Sequence, residues 1–396
     1  MRRLLGVLAF AALVGMAAVA SGKPALSQAA LDALVTRAGE LDTDALVVMK
    51  DGRVVVEKWY RGAPHRIESM SVTKSVVALA IGRLLQTGKL KSVDERVSRW
   101  YPEWRQGRKR GITIRHLLTQ TSGLQADRKT GTEIYGNPDF VQLALCAELS
   151  DDPGTRFFYN NKATNLLAGL VQRISGQRLD LYLRNEVFAP LGITDVTWEL
   201  DPAGNPHAMA GLQIRPADLA RLGQLMLDGG KWRGRQLLSA AWVKEATAPG
   251  PVNRGYGHLW WLIRDSTLTI DDGVMAAWRK GGVSERFIAA LAPLKGRVFK
   301  HEAFFAAIGK ALADQGGVET WYDNTWRRGL PDGKVVTSTV VGFRADGWQG
   351  QAIVVLVPER LVVVRMRQPK DAASDEENRK YGFPELVKLS RALARP

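Results

Sequence analysis

The chain has 396 residues, of which 45% are hydrophobic and 24% charged, a composition that excludes a disordered or fibrous protein and allows about two domains. Its 55 Lys and Arg outnumber its 40 Asp and Glu, for a formal net charge of +15. The basic residues are spread along the chain, and the one dense cluster, 105–110, lies in a Gly-containing loop without a base-stacking framework. We therefore expect no nucleic-acid partner, and a solvated basic face suited to anionic cell-envelope polymers.

The N-terminus has the pattern of a secretory signal. Arg2 and Arg3 precede an uncharged stretch, 4–20, that ends in the small residues Ala18-Val19-Ala20. We expect a signal peptide at 1–20, cleavage before Ser21, and a periplasmic protein. An uncleaved membrane anchor is the rival interpretation, because the apolar stretch is long for a signal peptide yet short for a full membrane span.

Two hairpins, one near each end of the chain, predict a sheet. Segments 45–50 and 53–60 flank the turn Asp51-Gly52, and segments 351–357 and 361–367 flank a second short turn. Between them the chain is mostly helical. The pattern indicates an α/β fold of the α+β class, in which an antiparallel sheet built from both termini is flanked by helices and interrupted by a mostly helical insert.

The helices and domain limits follow from caps and breakers. The predicted helices are 27–39, 71–87, 113–118, 162–174, 216–227, 302–313 and 384–394. We expect a discontinuous sheet-plus-helix domain at 21–95 and 330–396, and a mostly helical domain at 96–329. The region around 265–340 is an insertion that either walls a pocket or decorates the surface.

The tetrapeptide Ser71-Val72-Thr73-Lys74 is the strongest catalytic signal. Side chains at i and i+3 share one side of a helix, so Lys74 can reach the Ser71 hydroxyl. The run 76–85 that follows holds a single charged residue, which places Lys74 at the start of a buried helix. Burial of a charged side chain there is costly, so its presence indicates a function. A surface N-cap serine followed by a solvated lysine is the alternative interpretation.

A serine nucleophile needs a proton partner, and three Tyr-x-Asn triplets could supply one. They begin at Tyr135, Tyr159 and Tyr322, and the pattern alone does not choose among them. Turn chemistry favours Tyr159, because Pro153-Gly154 precedes it and a long helix follows Asn161.

At this point the chain resembles the serine β-lactamase-related proteins, which include class C β-lactamases, D-alanyl-D-alanine carboxypeptidases, family VIII carboxylesterases and 6-aminohexanoate-dimer hydrolases. The resemblance spans most of the mature chain. It rests on the segments Ser69-Met70-Ser71-Val72-Thr73-Lys74, Ile114-Arg115-His116-Leu117-Leu118-Thr119-Gln120-Thr121-Ser122-Gly123-Leu124, Pro153-Gly154-Thr155-Arg156-Phe157-Phe158-Tyr159-Asn160-Asn161, 216–227 and the C-terminal hairpin.

The resemblance implies a β-lactamase/transpeptidase-like fold and a set of roles. Ser71 would be the acylated nucleophile, Lys74 its proton partner, and Tyr159 the general base and later acid. Asn161 would orient Lys74 or a substrate amide. The oxyanion would rest on two backbone N–H groups, those of Ser71 and Gln351.

The third motif of the family, Lys or His, any residue, then Gly, best matches Trp348-Gln349-Gly350, where the cation is missing. A cation there can hold a substrate carboxylate, whereas a tryptophan offers a flat apolar wall and one N–H donor. Lys280-Gly281-Gly282 is the alternative match, although a poor strand follows it.

These features predict an exported serine hydrolase that cleaves a small ester, amide or peptide through an acyl-Ser71 intermediate, and an esterase or amidase rather than a β-lactamase. A D-alanyl-D-alanine carboxypeptidase or β-lactamase is the first alternative. The second is a non-catalytic, peptidoglycan-binding envelope protein. We expect no metal or organic cofactor, because the histidines are dispersed and Cys146 is the only cysteine, which also rules out an internal disulfide.

Overall fold

The computed structural model describes residues 26–127, 133–370, 377 and 380–394. The predicted signal peptide, 1–20, lies outside this range. Within the described part of the chain, no helix combines the length and the apolar character that crossing a membrane requires.

A seven-stranded antiparallel sheet forms the centre of the fold, in the order β2-β1-β12-β11-β10-β8-β9. The strands are β1 (Ala45–Lys50), β2 (Arg53–Trp59), β3 (Ile67–Glu68), β4 (Val196–Trp198), β5 (Leu212–Ile214), β6 (Lys231–Trp232), β7 (Arg235–Gln236), β8 (Trp261–Thr269), β9 (Phe299–Lys300), β10 (Lys334–Gly347), β11 (Gln351–Leu356) and β12 (Leu361–Met366). Strands β3, β5 and β4 form a second small sheet, and β6 pairs with β7.

The two terminal hairpins lie side by side in the main sheet, which confirms the predicted fold class. Strand β1 pairs with β12 in register from Ala45 opposite Met366 to Lys50 opposite Leu361. Strand β8 also belongs to this sheet, although it falls within 96–329, the segment that the sequence assigned to the helical domain. The sheet is therefore wider than the two terminal hairpins, with β10 between β11 and β8.

Helices cover both faces of the sheet. They are α1 (Gln28–Glu40), α2 (Val72–Gln86), α3 (Ile114–Leu118), α4 (Phe140–Cys146), α5 (Asn161–Ser175), α6 (Leu179–Leu183), α7 (Ala189–Leu191), α8 (Pro216–Leu227), α9 (Ala240–Ala246), α10 (Asp272–Lys280), α11 (Glu285–Leu291), α12 (His301–Ala311), α13 (Gly317–Asn324) and α14 (Leu386–Ala392). On one face, α1 and α14 pack against apolar residues such as Val48, Val354 and Val363. The other face carries the larger core, which runs from the sheet through α2 and α8 into the helical region.

The segment between β8 and β10 has a core of its own. Trp278, Phe287, Phe304 and Trp321 are buried together there, with aromatic ring centroids about 5–6 Å apart. Their burial gives the insertion a hydrophobic interior of its own.

Helix α2 owes its position to close packing on every side. Its residues from Val72 to Gly82 are all buried, and Gly82 lies directly against the indole of Trp242 in α9. A methyl group added at Gly82 would be 2.1 Å from Trp242 Nε1. The glycine therefore lets the helix that begins at the nucleophile approach α9 closely.

Gly82→Ala should destabilise the protein by about 1–3 kcal/mol, because the overpacking exceeds the gain in helix propensity. Chemical denaturation measures the loss. Gly273→Ala is the matched control, since this helical glycine has its nearest neighbouring atom at 3.4 Å and should gain slightly from the same change. Equal effects at the two positions would contradict the packing argument.

Candidate active site

The backbone before the nucleophile is held in an uncommon conformation. Met70 has φ of +48°, in the left-handed region, and α2 begins two residues later at Val72. Ser69 is buried, its N–H donates to the carbonyl of Leu212 (2.8 Å), and its hydroxyl lies 3.0 Å from the Thr73 hydroxyl. These contacts fix the sharp entry that presents Ser71 at the start of the helix.

Lys74 and Ser71 are in direct contact, as the spacing predicts. Lys74 Nζ lies 2.8 Å from Ser71 Oγ and donates to the carbonyl of Met209 at 2.7 Å. Met209 is held in turn by its own N–H, which donates to the side-chain oxygen of Asn165 at 3.1 Å. The amine therefore touches two neutral oxygens and is aimed at the hydroxyl.

The electrostatics of Lys74 follow from this setting. Its side chain is almost completely buried, and burial lowers the pKa of the ammonium group well below its ordinary value of 10.5. Two neutral oxygen acceptors do not replace the solvation of a full positive charge. A neutral amine keeps a lone pair for the Ser71 proton, so Lys74 is suited to act as a base.

Tyr159 reaches the same point from a rigid loop. Gln120, with φ of +58°, accepts the Phe158 N–H on its backbone carbonyl (2.9 Å) and the Asn160 N–H on its side chain (2.5 Å). Asn160 caps α5 by accepting the Ala163 N–H at 2.8 Å. The loop is therefore pinned on both sides of the tyrosine.

The phenol of Tyr159 lies against both reacting partners. Its ring centroid is 4.9 Å from Lys74 Nζ, and Tyr159 and Ser71 line the same cleft. The ring stacks on Trp261, with centroids 6.2 Å apart and planes inclined by 18°. Burial raises the pKa of Tyr159 to about 12, and the interaction with Ser71 only partly opposes this shift. The phenol therefore keeps its proton at ordinary pH, and the role of Tyr159 as general base and later acid stays a prediction.

Ser71 and Tyr159 open into one cleft of about 310 Å³, and Lys74 lies buried behind Ser71. It is lined by Ser71, Tyr159, Trp261, Arg344, Asp346, Gly347 and Trp348. Trp348 is 46% exposed and offers an apolar wall, as the sequence predicts. Tyr256 is buried behind the opposite wall, with its ring 4.6 Å from that of Trp261.

The third family motif is expected on the strand that borders Ser71. The strand that borders the nucleophile is β10, which ends at Gly347, whereas the sequence assigned this place to the strand that begins at Gln351. A Cβ on Gly347 would lie 2.8 Å from the carbonyl oxygen of Ser69, so β10 packs directly against the backbone before Ser71. Among the described residues, the backbone N–H groups of Ser71 and Trp348 donate to no protein acceptor.

Gly350 and Gln351 lie behind the cleft rather than in its lining. The side chain of Gln351 donates to the Arg367 carbonyl (2.5 Å) and accepts the Arg367 N–H (3.0 Å). Gly350 packs against Arg365, whose guanidinium would be 1.8 Å from an added Cβ. The role of the Gln351 backbone N–H in binding an oxyanion stays a prediction.

Arg365 holds the turn that carries Trp348. It is fully buried, and its guanidinium donates to the carbonyls of Gln349 (3.1 Å) and Gly350 (2.8 Å) as well as to Leu41, Tyr381 and Thr43. Burial, with some repulsion from Arg367, lowers the pKa of Arg365 to about 10. The position of Trp348 thus depends on a cation that lies outside the cleft.

The other sequence candidates occupy different places. Tyr135 packs edge-on against Phe140 and His207, and Tyr322 stacks on Phe305 in the insertion. Lys280 ends helix α10, away from the residues that line the cleft. Asn161 is the first residue of α5, and its orienting role stays a prediction.

No group of three or more potential metal ligands is present in the described ranges. His116, which lies in one of the motifs, accepts the Thr113 N–H on its ring at 3.2 Å and so closes the cap of helix α3. This contact is a structural one.

Sequence reasoning missed the residues that line the cleft from β8 and β10: Trp261, Arg344 and Asp346. A signal was available, because buried Phe343 and Ala345 alternate with the half-buried Arg344 and Asp346, as in a strand with one polar face. The missed pair places a charge pair in the cleft that Ser71 lines.

Comparison with known proteins agrees with the geometry. The family model described as Beta-lactamase matches residues 31–382, so the chain belongs to this family of serine hydrolases. A 6-aminohexanoate-dimer hydrolase from Paenarthrobacter ureafaciens is 30% identical over 253 residues, which cover 57% of this chain and 64% of that enzyme. The chain therefore matches less than two thirds of the length of this curated relative.

Solved structures show the same fold. A Bacteroides dorei protein provisionally assigned as a β-lactamase superposes with a TM-score of 0.64 at 18% identity, over 94% of this chain and 100% of that one. A penicillin-binding protein homologue from Caulobacter crescentus gives a TM-score of 0.56 at 16% identity, over 93% and 98% of the two chains.

The pH dependence of Ser71 reactivity should report on Lys74. The rate at which a fluorophosphonate phosphonylates Ser71 should rise with pH as Lys74 loses its proton. Because burial lowers the pKa of Lys74, the midpoint of this rise should lie well below pH 10.5. Rates measured by mass spectrometry in buffers of increasing pH test this. In the control variant Lys74→Ala, phosphonylation should be about 10²–10⁴-fold slower, and its rate should not show this rise with pH. A midpoint close to 10.5 would show that Lys74 stays charged.

Proposed function

We propose that the protein is an exported hydrolase that cleaves small esters or uncharged amides through an acyl-Ser71 intermediate. The observation that carries the proposal is the 2.8 Å contact between Ser71 Oγ and the Nζ of buried Lys74, with the Tyr159 ring 4.9 Å from the same nitrogen. The named activity of the 6-aminohexanoate-dimer hydrolase relative is consistent with this class of reaction.

The proposed reaction uses these groups in turn. Lys74 takes the Ser71 proton as the oxygen attacks the carbonyl carbon, and the resulting ammonium lies over the Tyr159 ring, which favours a cation. Tyr159 then donates its proton to the leaving group and is reprotonated from Lys74. A water molecule attacks the acyl-enzyme by the same route in reverse.

The oxyanion of the tetrahedral intermediate needs two N–H donors. The Ser71 N–H at the head of α2 is one, and the Trp348 N–H is the second in this proposal, since both point to no protein acceptor. Loss of one such donor costs about 10²–10³-fold in turnover, so the turn that Arg365 holds matters to the rate.

The preference for esters or neutral amides rests on the walls of the cleft. Trp261 and Trp348 give it apolar surfaces. Its one arginine, Arg344, is paired with Asp346, so among the lining residues no unpaired cation waits for a substrate carboxylate. A β-lactam or a peptide C-terminus would present such a carboxylate.

Burst kinetics with p-nitrophenyl butyrate test the proposal. The wild-type protein should release a burst equal to the enzyme concentration and then turn over, and Ser71→Ala should abolish both phases. Ser75→Ala is the matched control, because this serine lies one turn further along α2 and donates to the Leu259 carbonyl. It should keep the burst.

Two outcomes would contradict this proposal. Faster turnover of nitrocefin than of p-nitrophenyl butyrate would show that a carboxylate-bearing lactam is the better substrate. Absence of both turnover and fluorophosphonate labelling would favour the non-catalytic, peptidoglycan-binding alternative.

Export belongs to the same proposal and rests on the pattern of residues 1–20. The intact mass of the protein recovered from the periplasm should equal that of a chain beginning at Ser21. A mass that includes 1–20, with the protein in the membrane fraction, would instead support the uncleaved anchor.

A further inference from the structure

Arg344 and Asp346 form a charge pair inside the catalytic cleft. They lie two residues apart on β10, where buried Phe343 and Ala345 alternate with them, so both side chains leave the same face of the strand. The guanidinium lies 3.2 Å from the carboxylate, and the two side chains are 36% and 38% exposed. Both therefore contact the cleft and its solvent while they contact each other.

An unpaired arginine in this place would attract a substrate carboxylate, because its planar fork of N–H donors matches the two oxygens. Asp346 changes that outcome. A substrate anion that reaches Arg344 also comes close to the Asp346 oxygens, and at such short range the repulsion offsets much of the attraction. An uncharged acyl chain meets no such opposition.

Asp346 lines the same cleft as Ser71 and Tyr159. Burial raises the pKa of Asp346, and the charge of the adjoining Arg344 opposes this shift. The 3.2 Å contact with the guanidinium therefore favours the carboxylate form, so the charge pair lies in the same cleft as the Ser71 hydroxyl.

We infer that Asp346 is a specificity-determining residue that neutralises Arg344, so that the cleft accepts uncharged acyl groups and rejects those that end in a carboxylate. This inference rests on the proposed function and names the substrate class more narrowly. It also implies that removal of the Asp346 charge opens the cleft to acidic acyl groups.

Three p-nitrophenyl esters with four-carbon acyl groups test the inference: butyrate, hemisuccinate and 4-aminobutyrate, whose far ends are neutral, anionic and cationic. Protein-free rates are subtracted, because the two charged esters also release p-nitrophenol by cyclising. The wild-type protein should use the butyrate ester at least tenfold better, by kcat/KM, than the hemisuccinate. Ratios between substrates on one preparation are independent of the fraction of folded enzyme.

Asp346→Asn should raise the hemisuccinate-to-butyrate ratio of kcat/KM at least tenfold and lower the 4-aminobutyrate-to-butyrate ratio. Adding Arg344→Gln to this variant should remove the gain. Asp265→Asn is the matched control. Asp265 lies on the neighbouring strand β8, forms an ion pair with Arg391 of α14 (2.6 Å), and is outside the cleft lining. Its ratios should stay at the wild-type values.

A smaller change in Asp346→Asn, or a wild-type protein that uses the hemisuccinate as well as the butyrate, would overturn the inference. Calorimetric dissociation constants of the corresponding stable amides, butyramide, succinamate and 4-aminobutyramide, for Ser71→Ala, with and without Asp346→Asn, test the same charge preference without chemistry. If the wild-type protein hydrolyses none of the esters, the proposed function fails, and these dissociation constants still decide the role of Asp346.

Discussion

The burial of Lys74 beside Ser71, with only neutral oxygens in contact, is the interaction on which the rest of the site depends. An ammonium in that place would exchange its hydration for contacts with two neutral oxygens and the Tyr159 ring, so burial lowers the pKa of Lys74 and favours the neutral amine. A neutral amine next to an alcohol is a base next to a nucleophile. The all-round apolar packing of α2 that buries Lys74 is therefore part of the chemistry as well as of the core.

The remaining elements bring their groups to this one point from distant parts of the chain. The loop pinned by Gln120 and Asn160 delivers Tyr159, the segment before β5 delivers the Met209 carbonyl, and the end of β10 packs against Ser69. Arg365 extends this order to the turn behind β10 and so to Trp348. The cleft thus lies between the sheet and the helical region. The helical region contributes Ser71 and Tyr159, and strand β10 of the sheet contributes Arg344 and Asp346.

Much of this could be predicted from the sequence, because the relevant signals are local. The turn Asp51-Gly52, the i, i+3 spacing of Ser71 and Lys74, and the cap of α5 at Asn160 each act within a few residues, and the predicted elements there agree closely with the structure. The place of β10 depends on long-range pairing with β8. Its first half is exposed and rich in threonine and serine, without the apolar run that marks β11, so the sequence did not predict that this strand borders Ser71.

The protonation state of Lys74 tests the central claim most directly. In protein labelled with ¹⁵N-lysine, a titration of the Lys74 Nζ resonance, assigned by its loss in Lys74→Ala, should show a neutral amine down to a pH well below 10.5. An Nζ that stays an ammonium group until the pH approaches 10.5 would contradict the account, because Ser71 would then have no base at its side.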